Sequence, residues 1–304
     1  MGSVKNHVKD LVKVPCWVMV IDRASLSCYN TIDNDTERQG DFTMFDYHMH
    51  TKVSFDGIGT AEEMVQAAVE RNLKEICFTD HMDYHSDPAK YAGQFDLKDY
   101  QEAYGHLSHP DLKIRRGIEI GLTRWNRCEV SRVLAAYPYD FVIGSLHFAD
   151  GYDPYDAEYW EGRTVKDAFR LYFEESLACV RLHEDFDVFG HLTYVCKSPN
   201  NPTHEPVRFE DFQELTDEIM RELVRKGKGM EVNTSGIDRV GEFLPSAPYL
   251  RRFRELGGEI VTLGSDAHAP DRVGQYAKEA LDMIREIFGY VCTFEGRKPI
   301  FHKL

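Results

Sequence analysis

Residues 141–147 read Phe-Val-Ile-Gly-Ser-Leu-His, a short apolar run that ends on a histidine. A run of this length and composition is typical of a buried strand. The same arrangement recurs seven times from Met44 onward: an apolar or β-branched run, then a polar residue able to bind a metal or a substrate. The seven runs are Met44–His50, Glu75–His81, Lys113–Ile120, Asp140–His147, Phe186–His191, Gly229–Asn233 and Glu259–Asp266.

Amphipathic helical segments separate several of these runs. Ala61–Asn72 is one, with Thr60 as its N-cap and Glu63 three residues later, the pattern of a capping box. Phe209–Lys226 and Tyr249–Leu256 are two others. Alternating strands and helices predict parallel βαβ units. Seven units predict an α/β fold that is a distorted (β/α)7 barrel resembling a TIM barrel, whose functional site lies at the carboxyl ends of the strands.

The first 43 residues lack this periodicity and include the polar, turn-rich stretch 30–36. We therefore expect 1–43 to be an amino-terminal extension, possibly without order, and 44–304 to be one domain. An ordered arm packed on the barrel is the alternative. The apolar run Val14–Ile21 faintly imitates a signal peptide, but no small-residue cleavage site follows it.

Composition narrows the class of protein. Seven scattered cysteines without a C-x-x-C pair indicate reduced thiols and a cytoplasmic protein. The formal net charge of −15 disfavours nucleic acid, which is bound through phosphate neutralisation by lysine and arginine. No apolar run approaches the ~20 residues of a membrane span. A small molecule is therefore the expected partner. The sequence does not determine the oligomeric state.

Candidate metal ligands follow the apolar runs. Two histidines spaced as His48 and His50 share one face of a strand, and Asp266 and His268 repeat that spacing. Glu119 is a carboxylate inside an apolar run, where burial is costly unless the charge is paired or binds a metal. Taken singly, each residue is also consistent with an ordinary structural role, such as that of an aspartate in a turn or a core histidine whose hydrogen bonds are satisfied. The full set is His48, His50, Asp56, His81, Glu119, His147, His191, Asp266 and His268.

Nine nitrogen and oxygen ligands exceed the ~4 that zinc takes and the ~6 of an octahedral ion. This number of ligands fits two or three divalent ions that share some of them. The absence of thiolates from the set indicates Zn²⁺, Mn²⁺ or Fe²⁺.

The motifs together resemble the polymerase-and-histidinol-phosphatase (PHP) superfamily, which implies a PHP-type barrel with a trinuclear metal centre. They are the HxH within Tyr47–Thr51, Thr79-Asp80-His81, Gly117-Ile118-Glu119, Ser145-Leu146-His147, Gly190-His191 and Ser265-Asp266-Ala267-His268. The family often has histidine where Asp56 stands. The segment Glu231–Gly236, followed by Glu242–Ser246, resembles the histidinol-phosphatase branch.

This resemblance also implies roles. One metal would be held by His48, His50, Glu119 and Asp266. Glu119 would bridge to a second metal, held also by His147 and His191, and Asp56, His81 and His268 would hold the third. A metal-bridged hydroxide would attack phosphorus, with Glu119, Asp266 and His268 as catalytic residues and Asp266 or His268 protonating the leaving group. Asn233 would orient a neighbouring ligand or a water.

The implied reaction is hydrolysis of a small phosphate monoester, above all L-histidinol phosphate, in histidine biosynthesis. We expect Arg163 and Arg239 to bind the phosphate, since a guanidinium binds two oxygens at once; either could instead be an exposed charge. The acidic, aromatic stretch Gly151–Gly162 is expected to form a lid whose carboxylates meet a cation on the substrate, or else an ordinary surface loop.

Alternatives are another PHP phosphoesterase (nucleotidase, oligonucleotide exonuclease or protein-tyrosine phosphatase) and a non-catalytic, metal-stabilised regulatory barrel. A metal-dependent amidohydrolase is disfavoured, because no lysine occupies a matching strand end.

Overall fold

The computed structural model describes residues 43–87, 91 and 93–304. Seven parallel pairings between neighbouring strands build its main sheet. The predicted extension, apart from residue 43, lies outside this range. The strands of the sheet are β1 Met44–Asp46, β2 Leu73–Phe78, β3 His81–Met82, β4 Lys113–Gly121, β5 Phe141–Ser145, β6 Val188–Phe189, β7 Gly229–Asn233 and β8 Val261–Gly264. Their order is β1-β2-β4-β5-β6-β7-β8, and β3 pairs with the end of β4.

Helices and two 3₁₀ turns connect the strands. The helices are α1 Ala61–Glu70, α2 Leu97–Tyr104, α3 Arg127–Ala136, α4 Ala157–Trp160, α5 Val165–Leu182, α6 Phe209–Arg225, α7 Ile237–Val240, α8 Ala247–Glu255 and α9 Ala277–Ile287. The 3₁₀ turns are Tyr194–Lys197 and Pro270–Arg272. Among the described residues, no helix is both long and apolar enough to cross a bilayer.

The first and last strands of the sheet meet and close the barrel. The Tyr47 amide donates to the Leu263 carbonyl at 2.9 Å, and the Asp266 amide donates to the His48 carbonyl at 2.8 Å. The carboxylate of Asp46 adds to this closure by accepting from the Ser265 amide at 2.8 Å. The predicted distorted (β/α)7 barrel is therefore confirmed, and each of the seven runs overlaps at least one of its strands.

Local signals in the sequence account for the helix boundaries. The capping box at α1 is confirmed, because the Glu63 amide donates to the Thr60 hydroxyl and the Glu63 carboxylate accepts from the Thr60 amide. The predicted helices over 209–226 and 249–256 correspond to α6 and α8 within two residues at each end.

Two features of the fold differ from the sequence prediction. The run Glu75–His81 is split into β2 and β3, because the Thr79 amide donates to the Met49 carbonyl while its own carbonyl accepts from Glu119. In addition, β9 (Tyr290–Glu295) and β10 (Lys298–Lys303) form an antiparallel hairpin outside the barrel sheet. The sequence reading did not assign this hairpin.

The hairpin contributes to a buried polar network near the amino ends of the strands. Glu75 accepts from Tyr47 Oη and from Arg115 Nε, both at 2.6 Å. Arg115 also pairs with Glu295 of β9 at 2.9 Å, and the Phe294 amide donates to Tyr47 Oη at 3.0 Å. Each charge in this network therefore has an opposite charge or a hydrogen-bond donor against it.

Candidate metal centre

Glu119 lies at the centre of a cluster of histidines at the carboxyl ends of the strands. Its Oε1 is 2.8 Å from His191 Nε2 and 3.2 Å from His147 Nε2. Its Oε2 is 2.9 Å from His81 Nδ1 and 3.2 Å from His48 Nε2. One fully buried carboxylate thus contacts imidazoles that come from four different strand ends.

The remaining candidate ligands lie beside this cluster, toward the rim. His50 Nε2 is 3.3 Å from Asp266 Oδ1. Asp56 Oδ2 is 3.2 Å from His268 Nε2 and 3.5 Å from His81 Nε2. The structure brings all nine candidates together. Three groups have ligand atoms within 4.8 Å of one another: His48, His50 and Glu119; His81, Glu119 and His147; and His50, His81 and His268.

Carboxylates behind the histidines fix the orientation of two imidazoles. His48 Nδ1 is 2.6 Å from Glu231 Oε1, and His147 Nδ1 is 2.9 Å from Asp83 Oδ1. Since a carboxylate only accepts hydrogen bonds, each Nδ1 carries a proton, which leaves Nε2, the nitrogen turned toward Glu119, as the atom that could bind a cation.

Several nitrogen and oxygen atoms inside the cluster have no hydrogen-bond partner. His48 Nε2, His50 Nε2, His81 Nδ1 and Glu119 Oε2 are buried and make no hydrogen bond, although they lie close together. Buried polar atoms without partners are costly. Divalent cations would satisfy all four atoms, and imidazole with carboxylate is a donor set that zinc, manganese and iron accept. These side chains therefore fit divalent metal ions.

The electrostatic field of the cluster agrees with this fit. Burial and the neighbouring imidazoles of His81 and His268 hold the pKa of His50 well below its ordinary value, so its ring is neutral. Burial disfavours the charged form of His147, yet Asp83 and Glu119 raise its pKa to about 10. The negative field that draws a proton to His147 draws a metal cation equally.

A cavity of about 380 Å³ opens above the cluster. His81, His147, His191 and His268 form part of its lining with Asp56, Asp83 and Asp266. Aromatic side chains and two further charged side chains complete the wall: Phe55, Tyr91, Tyr155, Tyr194, Asp153 and Lys197. Its size suits a small ligand.

Comparison with known proteins identifies the family. A family model described as "PHP domain" matches residues 46–235. The chain belongs to this family. It is 31% identical over 258 residues to a Clostridium acetobutylicum protein named "Probable histidinol-phosphatase", a match that covers 85% of this chain and 96% of that relative. It is 30% identical to the Lactococcus lactis histidinol-phosphatase, over 83% of this chain and 95% of the relative.

A solved structure agrees with the sequence comparisons. The L. lactis histidinol phosphate phosphatase, determined in complex with zinc, L-histidinol and phosphate, matches with a TM-score of 0.73 and 28% identity. The match covers 85% of this chain and 99% of that one. The predicted resemblance to the histidinol-phosphatase branch of the PHP superfamily is therefore confirmed.

Asp80 of the Thr79-Asp80-His81 motif supports the PHP site from behind. Its Oδ1 accepts from the Thr51 amide at 2.8 Å and from Ser54 Oγ at 2.9 Å. Ser54 Oγ in turn accepts from the His81 amide at 2.9 Å. Asp80 therefore fixes the loop after β1 beneath the candidate ligands.

Glycines on two strands make room for the outer carboxylates of the PHP centre. A Cβ atom at Gly121 would overlap Asp83 Oδ1, and a Cβ atom at Gly264 would overlap Glu231 Oε1 and the His48 side chain. Any larger residue at either position would displace a carboxylate that orients an imidazole.

Sequence reasoning missed Lys197, which lies in the 3₁₀ turn after β6. Its ammonium is 2.6 Å from Asp266 Oδ2 and 2.8 Å from Ser235 Oγ. Burial opposes its charge, but Asp266 raises the pKa of Lys197 above the ordinary value. Lys197 therefore brings a fixed positive charge to the cavity wall.

The two arginines predicted to bind phosphate lie elsewhere. The Arg163 guanidinium pairs with Asp150 at 2.6 Å and donates to the Tyr159 carbonyl. Arg239 lines a second cavity of about 290 Å³, which Lys197 also lines. Neither belongs to the lining of the cavity above the metal ligands, so their role in phosphate binding stays a prediction.

Asp83 and Glu231 were also missed, although the sequence carried a signal for each. Asp83 follows His81 by two residues, just past the end of β3, and Glu231 precedes Asn233 by two on one face of β7. Asn233, predicted to orient a neighbour, donates through Nδ2 to Glu231 Oε2 at 3.2 Å.

Proposed function

We propose that this PHP-family protein is a metal-dependent phosphatase that hydrolyses L-histidinol phosphate to L-histidinol and inorganic phosphate in histidine biosynthesis. The observation that carries the proposal is the set of buried, unpartnered nitrogen and oxygen atoms around Glu119, beside a cavity of about 380 Å³. Support comes from the curated relatives named as histidinol-phosphatases, and from the L. lactis structure that holds zinc, L-histidinol and phosphate.

The residues around Glu119 would hold two or three divalent ions, drawn from zinc, manganese and iron. Glu119 would bridge, since its two oxygens face different imidazoles. His48 and His50 with Asp266 would lie on one side and His147 and His191 on another, with Asp56, His81 and His268 at the rim. Bound cations would lower the pKa of a water toward about 7 and offset negative charge on the phosphoryl oxygens.

Lys197 would bind the phosphoryl group directly. Its ammonium has three N–H donors, and the structure shows partners for two of them, Asp266 and Ser235. The third donor is available to a phosphoryl oxygen in the cavity. Asp266 keeps Lys197 protonated and in place, so the positive charge is preorganised for the charge that develops on phosphate.

The leaving group needs a proton when the P–O bond breaks, because a primary alkoxide is strongly basic. Asp266 and His268 both line the cavity, and about a third of the His268 side chain is exposed at the rim. Asp266 is ionised against Lys197, so of these two side chains we propose His268 as the source of that proton.

The test combines metal analysis of purified protein with phosphate release. We expect two or three divalent ions per chain and faster turnover of L-histidinol phosphate than of phosphotyrosine, nucleoside monophosphates or a short oligonucleotide. The matched control is the same protein after chelation and after reloading with each metal. If the protein had its full metal content but released phosphate faster from another ester, L-histidinol phosphate would be rejected as the substrate. The assignment as a phosphatase would still stand.

We also propose that the protein is cytoplasmic. In the described part of the chain, Cys77, Cys128, Cys179, Cys196 and Cys292 are free thiols. Free thiols are typical of proteins in reducing compartments.

A further inference from the structure

Asp153 is a carboxylate of the cavity wall that lies apart from the metal-ligand cluster. It belongs to the segment Gly151–Gly162 after β5, and its neighbours in the wall include Tyr155 and Tyr194. Its Oδ1 accepts from the Tyr155 amide at 2.8 Å and from Tyr194 Oη at 3.1 Å. The carboxylate is therefore held in one orientation by neutral donors.

The other carboxylates of the wall already have ionic or imidazole partners. Asp56 lies against His81 and His268. Asp83 binds His147, and Asp266 binds Lys197. Among the residues that the structure describes, no lysine, arginine or histidine forms an ion pair with Asp153.

The environment of Asp153 favours a cation. Burial raises the pKa of Asp153, which means that the protein only partly compensates its negative charge. The rings of Phe55, Tyr91, Tyr155 and Tyr194 line the same cavity. Aromatic faces attract ammonium and other organic cations, and the attraction grows as water is excluded.

The cavity is thus divided by charge. The candidate metal centre and Lys197 provide positive charge for a phosphate, while Asp153 and the aromatic rings provide a site for a positive group. A ligand that fills about 380 Å³ can reach both. A phosphate monoester with a cation a few bonds from its phosphate matches this arrangement.

We propose that Asp153 binds the cationic group of the substrate and thereby selects phosphate monoesters that carry an ammonium or imidazolium. This inference rests on the proposed phosphatase function and names the residue that sets its substrate class. Anionic or neutral esters, such as nucleoside monophosphates, would leave Asp153 without a counter-charge.

The neighbouring acids of the same segment provide a contrast. Glu161 is exposed and does not belong to the cavity lining, although it lies only eight residues from Asp153. It carries the same charge on the same segment, so Glu161→Gln is a matched control for any long-range effect of removing one negative charge.

The test compares Asp153→Asn with Glu161→Gln and the unchanged protein, all loaded with metal. The esters are L-histidinol phosphate, 2-amino-3-phenylpropyl phosphate and 3-phenylpropyl phosphate; the last two differ only in the ammonium group. We expect Asp153→Asn to lower kcat/KM about 10- to 100-fold for both cationic esters, mainly through KM, because a charged hydrogen bond is lost. Turnover of 3-phenylpropyl phosphate should stay within about twofold, and Glu161→Gln should behave as the unchanged protein.

An equal loss on all three esters, with metal content unchanged, would overturn the inference and indicate that Asp153 only positions Tyr155 and Tyr194. Unchanged kcat/KM on every ester would overturn it too. A third outcome separates the two proposals: 2-amino-3-phenylpropyl phosphate is hydrolysed faster than 3-phenylpropyl phosphate, but L-histidinol phosphate is not hydrolysed. This result would reject the proposed substrate and support the role of Asp153. No phosphate release from any ester would reject both.

Discussion

The two ends of the barrel bury charged side chains in opposite ways. Near the amino ends of the strands, Glu75 meets Arg115 and Tyr47 at 2.6 Å, a donor against an acceptor in each case. At the carboxyl ends, Glu119 Oε2 lies 3.2 Å from His48 Nε2, and neither atom has a hydrogen-bond partner. Arg115 and Glu119 lie on the same face of β4, four residues apart.

Burial alone therefore does not separate a structural charge from a functional one. The Glu75 network is complete within the protein, so it stabilises the fold. The Glu119 cluster is complete only when cations are added, so it stabilises the metal-bound protein. The pairing of each buried polar atom is the informative property.

The largest expected effect is that of Glu119→Gln. An amide keeps the shape but removes the charge shared between metal ions, so we expect turnover to fall by at least about 10³-fold, together with loss of bound metal. Phosphate release and metal analysis on the same sample measure both. Near-normal activity with full metal content would show that Glu119 does not bridge.

Glu75→Gln makes the matching change at the other end. It leaves Arg115 with only the exposed partner Glu295, and we expect the free energy of unfolding to fall by about 3 kcal/mol. Urea unfolding of the metal-loaded protein measures this, while kcat of the folded fraction should be unchanged. A loss of metal affinity in this variant would contradict the separation of the two ends.

Asp83→Asn should have an intermediate effect. The neutral amide can donate as well as accept, so the imidazole of His147 loses its fixed tautomer and some basicity. Metal affinity or activity should fall about 10- to 100-fold. Titration of the metal-free protein with zinc provides the measurement, and an affinity equal to that of the unchanged protein would argue against Asp83 as an orienting residue.

The smallest effect is expected outside the barrel, at the Asp217–Arg252 pair between α6 and α8. Arg252 donates to Asp217 from Nε at 2.9 Å and from Nη2 at 2.7 Å, and these bonds lower the pKa of Asp217. Asp217→Asn should cost about 1 kcal/mol at pH 7.

The pH dependence of that cost follows from the direction of the pKa shift. Because the folded-state pKa is lowered, the stabilisation is present above the unfolded pKa of about 3.9 and is lost as the pH falls through the folded value. Urea unfolding of both proteins between pH 3 and pH 7 should show the difference shrinking at the acidic end. A constant difference would mean that the charge on Asp217 does not contribute.

The sequence predicted the barrel because its signal is periodic. Runs such as Phe141–Ser145 are apolar throughout and end on a polar side chain, so spacing alone located the strands and their functional ends. The hairpin of β9 and β10 is not part of an alternating strand–helix unit, and the split of β2 from β3 depends on backbone hydrogen bonds that the sequence pattern does not show.

The same reasoning explains which site residues were found. Candidate ligands such as His147 follow strand runs directly, so their positions are set by secondary structure. Lys197 lies in an irregular turn, and its approach to Asp266 depends on tertiary packing. Arg163 had the expected charge, but Asp150 and Tyr159 are nearer partners, which only coordinates reveal.

Closure of the barrel by Asp46 and Ser265 joins residues 219 positions apart in the chain. Candidate ligands come from both sides of that junction, His48 from the first strand and Asp266 from just after the last. At a synthesis rate of about 5–20 residues per second, roughly 10–40 s separate the synthesis of His48 from that of Asp266. The ribosome must therefore synthesise the chain through His268 before all nine candidate ligands are present, so the complete metal site forms late rather than early in synthesis of this domain.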